Sequence, residues 1–285
     1  MALIHLPDRA FITLEGEDAE AFLQNLITTN IEGLVPGEAW PGALLTPQGK
    51  IMFDFLISRG PDGFLIETHA GDRAALARRL MLYRLRAKVT IATPAHDGAT
   101  AIVGEDTIPD GAVADRRFSL SDVALFRLPD RLDGAADDPE TYTALRIEAG
   151  AAEMHADFAA EDAFPHDVLY DKNGGLNFRK GCYVGQEVVS RMQHRGTARR
   201  RILLVSGEGA LPAPGTALEA GGKPVGALGS VDGASGLALA RIDRVKSAMD
   251  AGTPVSAGGV TVTLSLPSHV AYRFPDTAGD TPDDG

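Results

Sequence analysis

The single cysteine of the chain, Cys182, lies in a segment whose residue types favour chemistry at sulfur. Residues 179–187 read RKGCYVGQE. Gly181 and Gly185 allow the backbone to turn tightly and to approach a ligand closely, and the residues after Gly185 are typical of the first turn of a helix. A cysteine just before a helix N-terminus and beside two cations is stabilised as a thiolate, the form that acts as nucleophile or metal ligand. The alternative is a small buried apolar residue, which many lone cysteines are.

Basic residues are concentrated around this cysteine. Residues 172–201 carry a net charge of +7 in a chain whose formal charge is -12. We call this stretch the basic island; its eight basic residues are Lys172, Arg179, Lys180, Arg191, Arg195, Arg199, Arg200 and Arg201. An island of this size in an acidic protein favours a local anionic ligand over a long polyanion such as DNA.

Composition narrows the class of protein further. The chain has 285 residues, of which 44% are apolar and 23% charged, so it can bury a large core. One cysteine excludes an intrachain disulfide and cannot by itself hold an iron-sulfur cluster, so no resident metal is predicted. No apolar stretch is long enough to span a bilayer, and Asp8 and Arg9 interrupt a signal-like start. These features predict a cytoplasmic protein without membrane or nucleic-acid partners.

The residues with chemistry must be positioned by a mixture of helices and strands. Apolar spacing predicts a helix after Gly16 and a second over 72–87. A hairpin is predicted from 43–45 and 51–57 around the turn Thr46–Lys50, with Asp54 in its second arm. After Arg201, short apolar strands at 202–205, 225–231, 237–242 and 260–266 predict a small antiparallel barrel. The histidines His5, His69 and His96 are interpreted as structural.

The sequence resembles a known family at several of these places. Lys180–Glu187, which we call the cysteine motif, resembles the K-G-C-[FY]-x-G-Q-E signature of the YgfZ family of folate-binding proteins, relatives of the glycine cleavage T-protein, an aminomethyltransferase. Arg191, His194, Arg195 and Gly196 resemble the continuation of that signature, and Leu145–Gly150 resembles an L-R-x-E-A-G segment shared with the T-protein.

The resemblance implies an α+β fold, a cloverleaf of folate-binding subdomains with a small C-terminal antiparallel β-barrel. It predicts two interleaved subdomains over residues 1–197 and a barrel over 198–274. Residues 275–285 are acidic and lack apolar anchors, so they are predicted to form a disordered tail.

The same resemblance implies tetrahydrofolate, or a related reduced folate, as ligand. Glu148 is expected to pair with the pterin edge, and Cys182 and Asp54 are the expected catalytic residues. Phe53 stands beside Asp54 where the T-protein has a second acidic residue, so only half of its acidic pair is present. The other expected folate-binding residues are Asp167, Lys180, Tyr183, Gln186, Arg191 and Arg195.

Three functions are consistent with the sequence. The first, implied by the resemblance, is a folate-binding accessory factor for iron-sulfur cluster assembly or repair, with cluster client or assembly proteins as partners and Cys182 as nucleophile or transient ligand. The second is a folate-dependent aminomethyltransferase that uses Asp54 and Glu148. The third is RNA binding through the basic island, which has few aromatic residues for stacking. Whether any reaction is catalysed stays open.

Overall fold

The computed structural model describes residues 2–104, 108–119, 121–196, 198–268, 270 and 273–274. The predicted disordered tail, 275–285, lies outside these ranges. The helices are α1 (Ala19–Gln24), α2 (Ala70–Arg84), α3 (Pro139–Ala149), α4 (Tyr170–Asn173), α5 (Gln186–His194) and α6 (Ile242–Asp250). The first nine strands are β1 (Ala2–Leu6), β2 (Arg9–Glu15), β3 (Glu38–Leu45), β4 (Ile51–Gly60), β5 (Gly63–His69), β6 (Thr90–Ala92), β7 (Ala99–Val103), β8 (Val113–Asp115) and β9 (Leu125–Pro129). The others are β10 (Arg200–Gly207), β11 (Ala217–Ala220), β12 (Lys223–Asp232), β13 (Ser235–Arg241), β14 (Val255–Ala257) and β15 (Val260–Ser265).

Strands β1 to β9 form one sheet in the order β1-β7-β9-β8-β3-β4-β5-β2-β6. The predicted hairpin is present as β3 and β4, which pair antiparallel with Ala43 opposite Asp54. Apolar residues of β2, β4 and β5 alternate toward a core that α1 and α2 cover, since Leu23 and Leu76 are fully buried there. Helices α1 and α2 therefore share one core with this part of the sheet.

The second predicted helix is α2, and its ends differ from the prediction. It starts at Ala70 because the His69 side chain caps it by accepting the Gly71 amide proton. It ends at Arg84 because Leu85 adopts a left-handed backbone with φ 45°. Residues 85–87, predicted to continue the helix, leave it and expose the apolar side chain of Leu85.

Strands β10 to β15 close into an antiparallel barrel in the order β10-β13-β12-β11-β14-β15, which confirms the predicted barrel. Helix α6 was not predicted: the strand expected to reach Ile242 ends at Arg241, and Ile242, Val245 and Ala248 then turn one helical face inward. A single apolar cluster joins barrel residues such as Leu203 to the hairpin residue Leu45 and the motif residue Tyr183. The barrel thus packs against both the β3–β4 hairpin and the cysteine motif.

Within the described ranges, no helix has the length and apolar character needed to cross a membrane. The predicted boundary between residues 197 and 198 stays a prediction.

Candidate functional site

The cysteine motif is held against the β3–β4 turn by a close backbone approach. Gly185 has φ 79°, and a Cβ atom there would lie 2.6 Å from the carbonyl oxygen of Thr46 and 3.0 Å from Cα of Gly49. Only glycine fits a contact this short with that backbone conformation. Helix α5 starts directly after Gly185. The close approach of Gly185 to Gly49 therefore fixes the motif to the hairpin. The sequence analysis expected a tight turn at Gly185.

Lys180 anchors the motif to the end of α1. Its ammonium group donates to the carbonyl oxygens of Ile27, at 2.7 Å, and Thr29, while its own carbonyl accepts from the Gln24 side chain at 3.3 Å. Burial lowers the pKa of Lys180 to about 7. In this structure the ammonium group holds the motif to backbone carbonyls, and its role in folate binding stays a prediction.

Cys182 is exposed to solvent, which rules out the alternative of a small buried residue. An apolar groove of about 400 Å³ begins two residues further on, at Val184, and is lined by Phe22, Leu26, Tyr83 and Ala87 among others. The thiol is therefore open to an external molecule and lies close along the chain to a surface that apolar groups can cover.

Tyr183 points the other way, into the core. Its side chain is 7% exposed, and its hydroxyl finds no hydrogen-bond partner among the described residues. Burial raises the pKa of this phenol. Lys180 places its ammonium nitrogen 5.5 Å from the ring centroid. A buried unpaired hydroxyl is costly, so Tyr183 contributes to the fold through the packing of its ring.

Asp54 is buried in β4 and braces a distant loop. Its carboxylate accepts the backbone N–H of Met154 at 3.0 Å, and its carbonyl oxygen accepts from Thr68 at 3.0 Å. Burial raises the pKa of Asp54, and the Met154 hydrogen bond only partly offsets this. Asp54 therefore positions the 153–158 loop.

A network of buried ion pairs crosses the large sheet, and sequence analysis did not find it. Glu67 in β5 accepts from Arg9 at 2.9 Å and from Arg127 at 3.1 Å. Burial by itself would raise the pKa of Glu67, but the positive charges of Arg127 and Arg9 outweigh it and lower the pKa. Arg117 pairs with Asp115 at 2.6 Å. The strand patterns gave no signal for this network, because its charged residues resemble solvent-facing ones.

The network leaves little room beside it. The cavity next to Glu67 and Arg127 has a volume of about 10 Å³, enough for a single water at most. In this structure the cavity is much smaller than a pterin.

A second charged cluster lies at the hairpin turn, where the barrel begins. Asp167 is buried, accepts the backbone N–H of Phe164 at 3.1 Å and lies 3.6 Å from the Arg200 guanidinium. Arg200 also pairs with Asp162 at 2.6 Å, and Lys50 donates to the Asp162 carbonyl at 2.5 Å. Burial raises the pKa of Asp167 to about 6.

Asp167→Asn is expected to alter the pH dependence of stability. The folded-state pKa of Asp167 exceeds its unfolded value, so the group stabilises the fold at low pH and this contribution is lost as pH rises through about 4 to 6. The difference in the free energy of unfolding, variant minus wild type, should therefore rise by about 3 kcal/mol between pH 4 and 7, because each unit of pKa difference contributes about 1.4 kcal/mol. Urea titrations at several pH values measure it.

Asp162→Asn is the control of opposite sign. Its hydrogen bond to Arg200 lowers the pKa of Asp162, so this variant should lose stability relative to the wild type as pH rises through the low-pH window. If the stabilities of Asp167→Asn and the wild type changed in parallel with pH, the buried Asp167 carboxyl would not have a raised pKa.

The remaining predicted folate residues do not meet at one place. Glu148 is exposed on α3 and lines a groove of about 450 Å³ with barrel residues such as Ser206 and Asp232. Arg191 is exposed and pairs with Glu187 at 2.7 Å, Arg195 is exposed, and Gln186 is partly exposed at the start of α5.

The residues that the sequence predicted to bind folate are dispersed over several places in this structure. Glu148 lies with the barrel, Asp167 with Arg200, Lys180 with backbone carbonyls and Asp54 with Met154. Folate binding by these residues together stays a prediction from the sequence resemblance, and no chemical step is derived through it.

Part of the basic island is neutralised within the protein. Arg201 pairs with Asp171 at 2.8 Å and Arg200 with Asp162, and Arg191 pairs with Glu187 on the surface. Cations held in such pairs attract a polyanion more weakly than unpaired ones. The island therefore offers less positive surface than its sequence predicted, which weighs against the RNA-binding alternative.

Comparison with known proteins agrees with this architecture. Residues 199–272 match the family model of the CAF17 C-terminal β-barrel domain. The glycine cleavage system aminomethyltransferase T from Bartonella henselae has a similar structure, with a TM-score of 0.72, 16% identity, and coverage of 96% of this chain and 87% of that one. This likeness confirms the predicted T-protein-like fold.

Sequence relatives cover most of the chain. The mitochondrial iron-sulfur cluster assembly factor IBA57 of Mus musculus is 29% identical over 92% of this chain and 83% of its own length. Its homologue in Pyricularia oryzae is 33% identical over 70% of this chain, which spans only about half, 55%, of that relative. The tRNA-modifying protein YgfZ of Enterobacter sp. is 29% identical over 77% of this chain and 76% of its own length.

The names of these relatives bear on two predictions, the cellular location and the family. The expected cytoplasmic location is contradicted, because several of the relatives are named as mitochondrial proteins. Composition and the absence of an apolar stretch carry no information about an organelle, so they could not have shown it. The resemblance to the YgfZ family is confirmed: the chain is a homologue of the IBA57 and YgfZ proteins, with a T-protein-like fold and a CAF17-type C-terminal barrel.

Proposed function

We propose that the protein is an accessory factor for iron-sulfur cluster assembly that meets its partner protein at Cys182 and the adjacent apolar groove. The observation that carries the proposal is an exposed thiol beside an apolar surface in a homologue of proteins named as iron-sulfur cluster assembly factors. A structural cysteine would be buried, and a thiol that hands over or receives an atom must be reachable.

The number of thiols limits what Cys182 can do. An iron-sulfur cluster is held by about four cysteine thiolates, and this chain has one cysteine. A cluster that contacts Cys182 must therefore take its other ligands from a partner, and the cluster is cargo rather than a resident group. In this proposal Cys182 supplies one thiolate while the partner surface is held on the protein by other contacts.

The end of α2 supplies those contacts. Leu82 is 70% exposed and Leu85 87% exposed, and in sequence they flank Tyr83, which lines the groove. Several exposed apolar residues on one short segment are typical of an interaction surface. Arg78 and Arg86 are exposed on the same segment. We call residues 81–86 the apolar rim; its neighbouring positive charges favour a partner whose apolar surface is bordered by acidic residues.

The aminomethyltransferase alternative gains nothing specific from the structure. The likeness to the Bartonella henselae enzyme concerns the fold alone, at 16% identity. Asp54, the residue that reaction needs most, is buried and bonded to the Met154 amide.

Charging the apolar rim is expected to block function without unfolding the protein. In a strain that lacks the gene, the double variant Leu82→Asp and Leu85→Asp should fail to restore the activity of cluster-containing enzymes. Losing an apolar hot spot costs about 2 kcal/mol or more, some 30-fold in affinity. Both side chains are exposed, so stability should change little.

Met249→Asp is the matched control. Met249 is 44% exposed on α6, outside the groove, and its charged variant should restore activity fully. Equal rescue by the rim variant and the control would contradict the proposed docking surface. Equal failure of both would show that the effect is one of general solubility or expression.

Reduced folate remains a ligand that we infer from the sequence resemblance. Calorimetric titration with tetrahydrofolate under anaerobic, reducing conditions tests it directly, with Glu148→Ala and Asp54→Asn as variants. Loss of binding in Glu148→Ala would support the residue roles that the resemblance implies. Binding that survives in Glu148→Ala but not in Asp54→Asn would place the ligand on the sheet side, and absence of heat from the wild type would contradict folate binding.

A further inference from the structure

Three side chains outside the cysteine motif converge at the start of α2. His69, Asp72 and His155 each offer a ligand atom, and these atoms all lie within 4.8 Å of one another. His155 Nε2 lies 2.6 Å from a carboxylate oxygen of Asp72, and the two imidazole rings have centroids 4.8 Å apart. We propose that these residues form a binding site for a divalent first-row transition-metal ion. The proposal does not rest on the proposed function.

The donor set defines the class of ligand. Two imidazole nitrogens and one carboxylate oxygen suit zinc and ferrous iron, whereas calcium and magnesium take oxygen ligands. An ion bound by three protein groups keeps a position open for water or an external ligand. The site is therefore suited to reversible binding of a metal ion.

Two of the ligands sit on rigid backbone. His69 is the last residue of β5, and Asp72 lies in the first turn of α2. Both positions are fixed by the strand-to-helix junction, so only side-chain rotations are needed to gather the donors around an ion with bonds of about 2.1 Å.

The third ligand is held by an unusual loop conformation. His155 has φ 73°, a left-handed backbone that is uncommon outside glycine. Its amide donates to the Phe158 carbonyl at 2.9 Å, and the Asp157 carboxylate accepts the Glu153 amide at 2.8 Å. The preceding residue, Met154, is bonded to Asp54 of the sheet. Strained backbone held by this many contacts is typical of a functional position.

Metal binding must disturb two hydrogen bonds. Nδ1 of His69 accepts the Gly71 amide proton at 3.1 Å, so an ion bound to this ring changes that hydrogen bond, either by taking the Nδ1 lone pair or by withdrawing charge through Nε2. At His155 the ion takes the place of the proton that Nε2 shares with Asp72, and that proton moves to Nδ1 of the same ring, which is accessible because His155 is exposed. The Gly71 amide therefore reports occupancy of the site.

Calorimetric titration with zinc chloride tests the proposal. The parent protein is Cys182→Ser, so that the free thiol does not bind zinc. It should bind one equivalent per chain, and His155→Asn should weaken binding by at least about 100-fold, since loss of an outer partner of a metal ligand already costs 10- to 100-fold. Asparagine is compatible with the left-handed backbone at 155.

Two further variants make the test specific. His69→Asn keeps an oxygen that can cap α2 while removing the imidazole, and it should also weaken zinc binding. His96→Asn is the matched control, because His96 pairs with Asp130 at 2.7 Å but belongs to no three-ligand group among the described residues. The zinc affinity of this variant should match that of the parent protein. In amide NMR spectra, the Gly71 signal should shift on addition of zinc. Absence of saturable binding, unchanged affinity in His155→Asn, or a fixed Gly71 signal would each overturn the proposal.

Discussion

Replacing Cys182 with serine is expected to abolish support of iron-sulfur enzymes while leaving the fold unchanged. The side chain is exposed, so the free energy of unfolding should change by no more than about 0.5 kcal/mol. Serine keeps the shape of the side chain but does not supply a thiolate to iron or sulfur. In a strain that lacks the gene, the activity of cluster-containing enzymes should fall to that of the strain with no copy.

A neighbouring exposed residue provides the control for this variant. Glu187 lies in the same motif, with its carboxylate 2.7 Å from Arg191 and a side chain that is 86% exposed. Glu187→Gln should restore enzyme activity, because an exposed ion pair on a helix contributes little. Full rescue by Cys182→Ser would remove the thiol from the mechanism and leave only the docking surface.

Glu67→Gln is expected to cause a large loss of stability. Glu67 is the shared partner of Arg9 and Arg127, and all three side chains are buried. Removing the carboxylate charge leaves two buried guanidinium groups without their counter-charge, and breaking a buried pair in this way costs about 3 to 5 kcal/mol. Urea-induced unfolding, extrapolated linearly to water, measures the difference.

An exposed pair supplies the comparison. Glu20 lies 2.7 Å from Arg59, and its side chain is 46% exposed. Glu20→Gln should lower the free energy of unfolding by about 1 kcal/mol or less. If Glu67→Gln also lost only about 1 kcal/mol of unfolding free energy, the buried guanidinium groups would not depend on the Glu67 carboxylate.

Prediction from sequence succeeded where local pattern is sufficient. The β3–β4 hairpin, the approximate position of α2 and the closed barrel were all expected, because alternation of apolar residues and turn glycines depends on near neighbours. In the cysteine motif, Gly185 also behaves as expected, since it makes the close backbone contact.

Glu148 shows where local pattern was insufficient. Helix α3 buries Tyr142, Arg146 and Ala149, which lie on one face, and Glu148 points away from that face. The expected role of Glu148 came from the resemblance to the T-protein, and spacing along the chain does not show which polar residues of the helix are buried. Arg146 is buried because Asp157 and Ser230 accept from it, both at 2.7 Å, and neither partner is identifiable from spacing.

By itself, the sequence determined the family, the cysteine motif, the β3–β4 hairpin and the closed barrel, because residue types and short-range periodicity fix these. Only the tertiary structure decided which polar residues are buried and with whom they pair. Asp54 meets the Met154 amide and Glu67 meets Arg127, and His69 meets His155. These contacts join residues far apart in the chain, and they form only after packing has closed the intervening loops and removed the competing water.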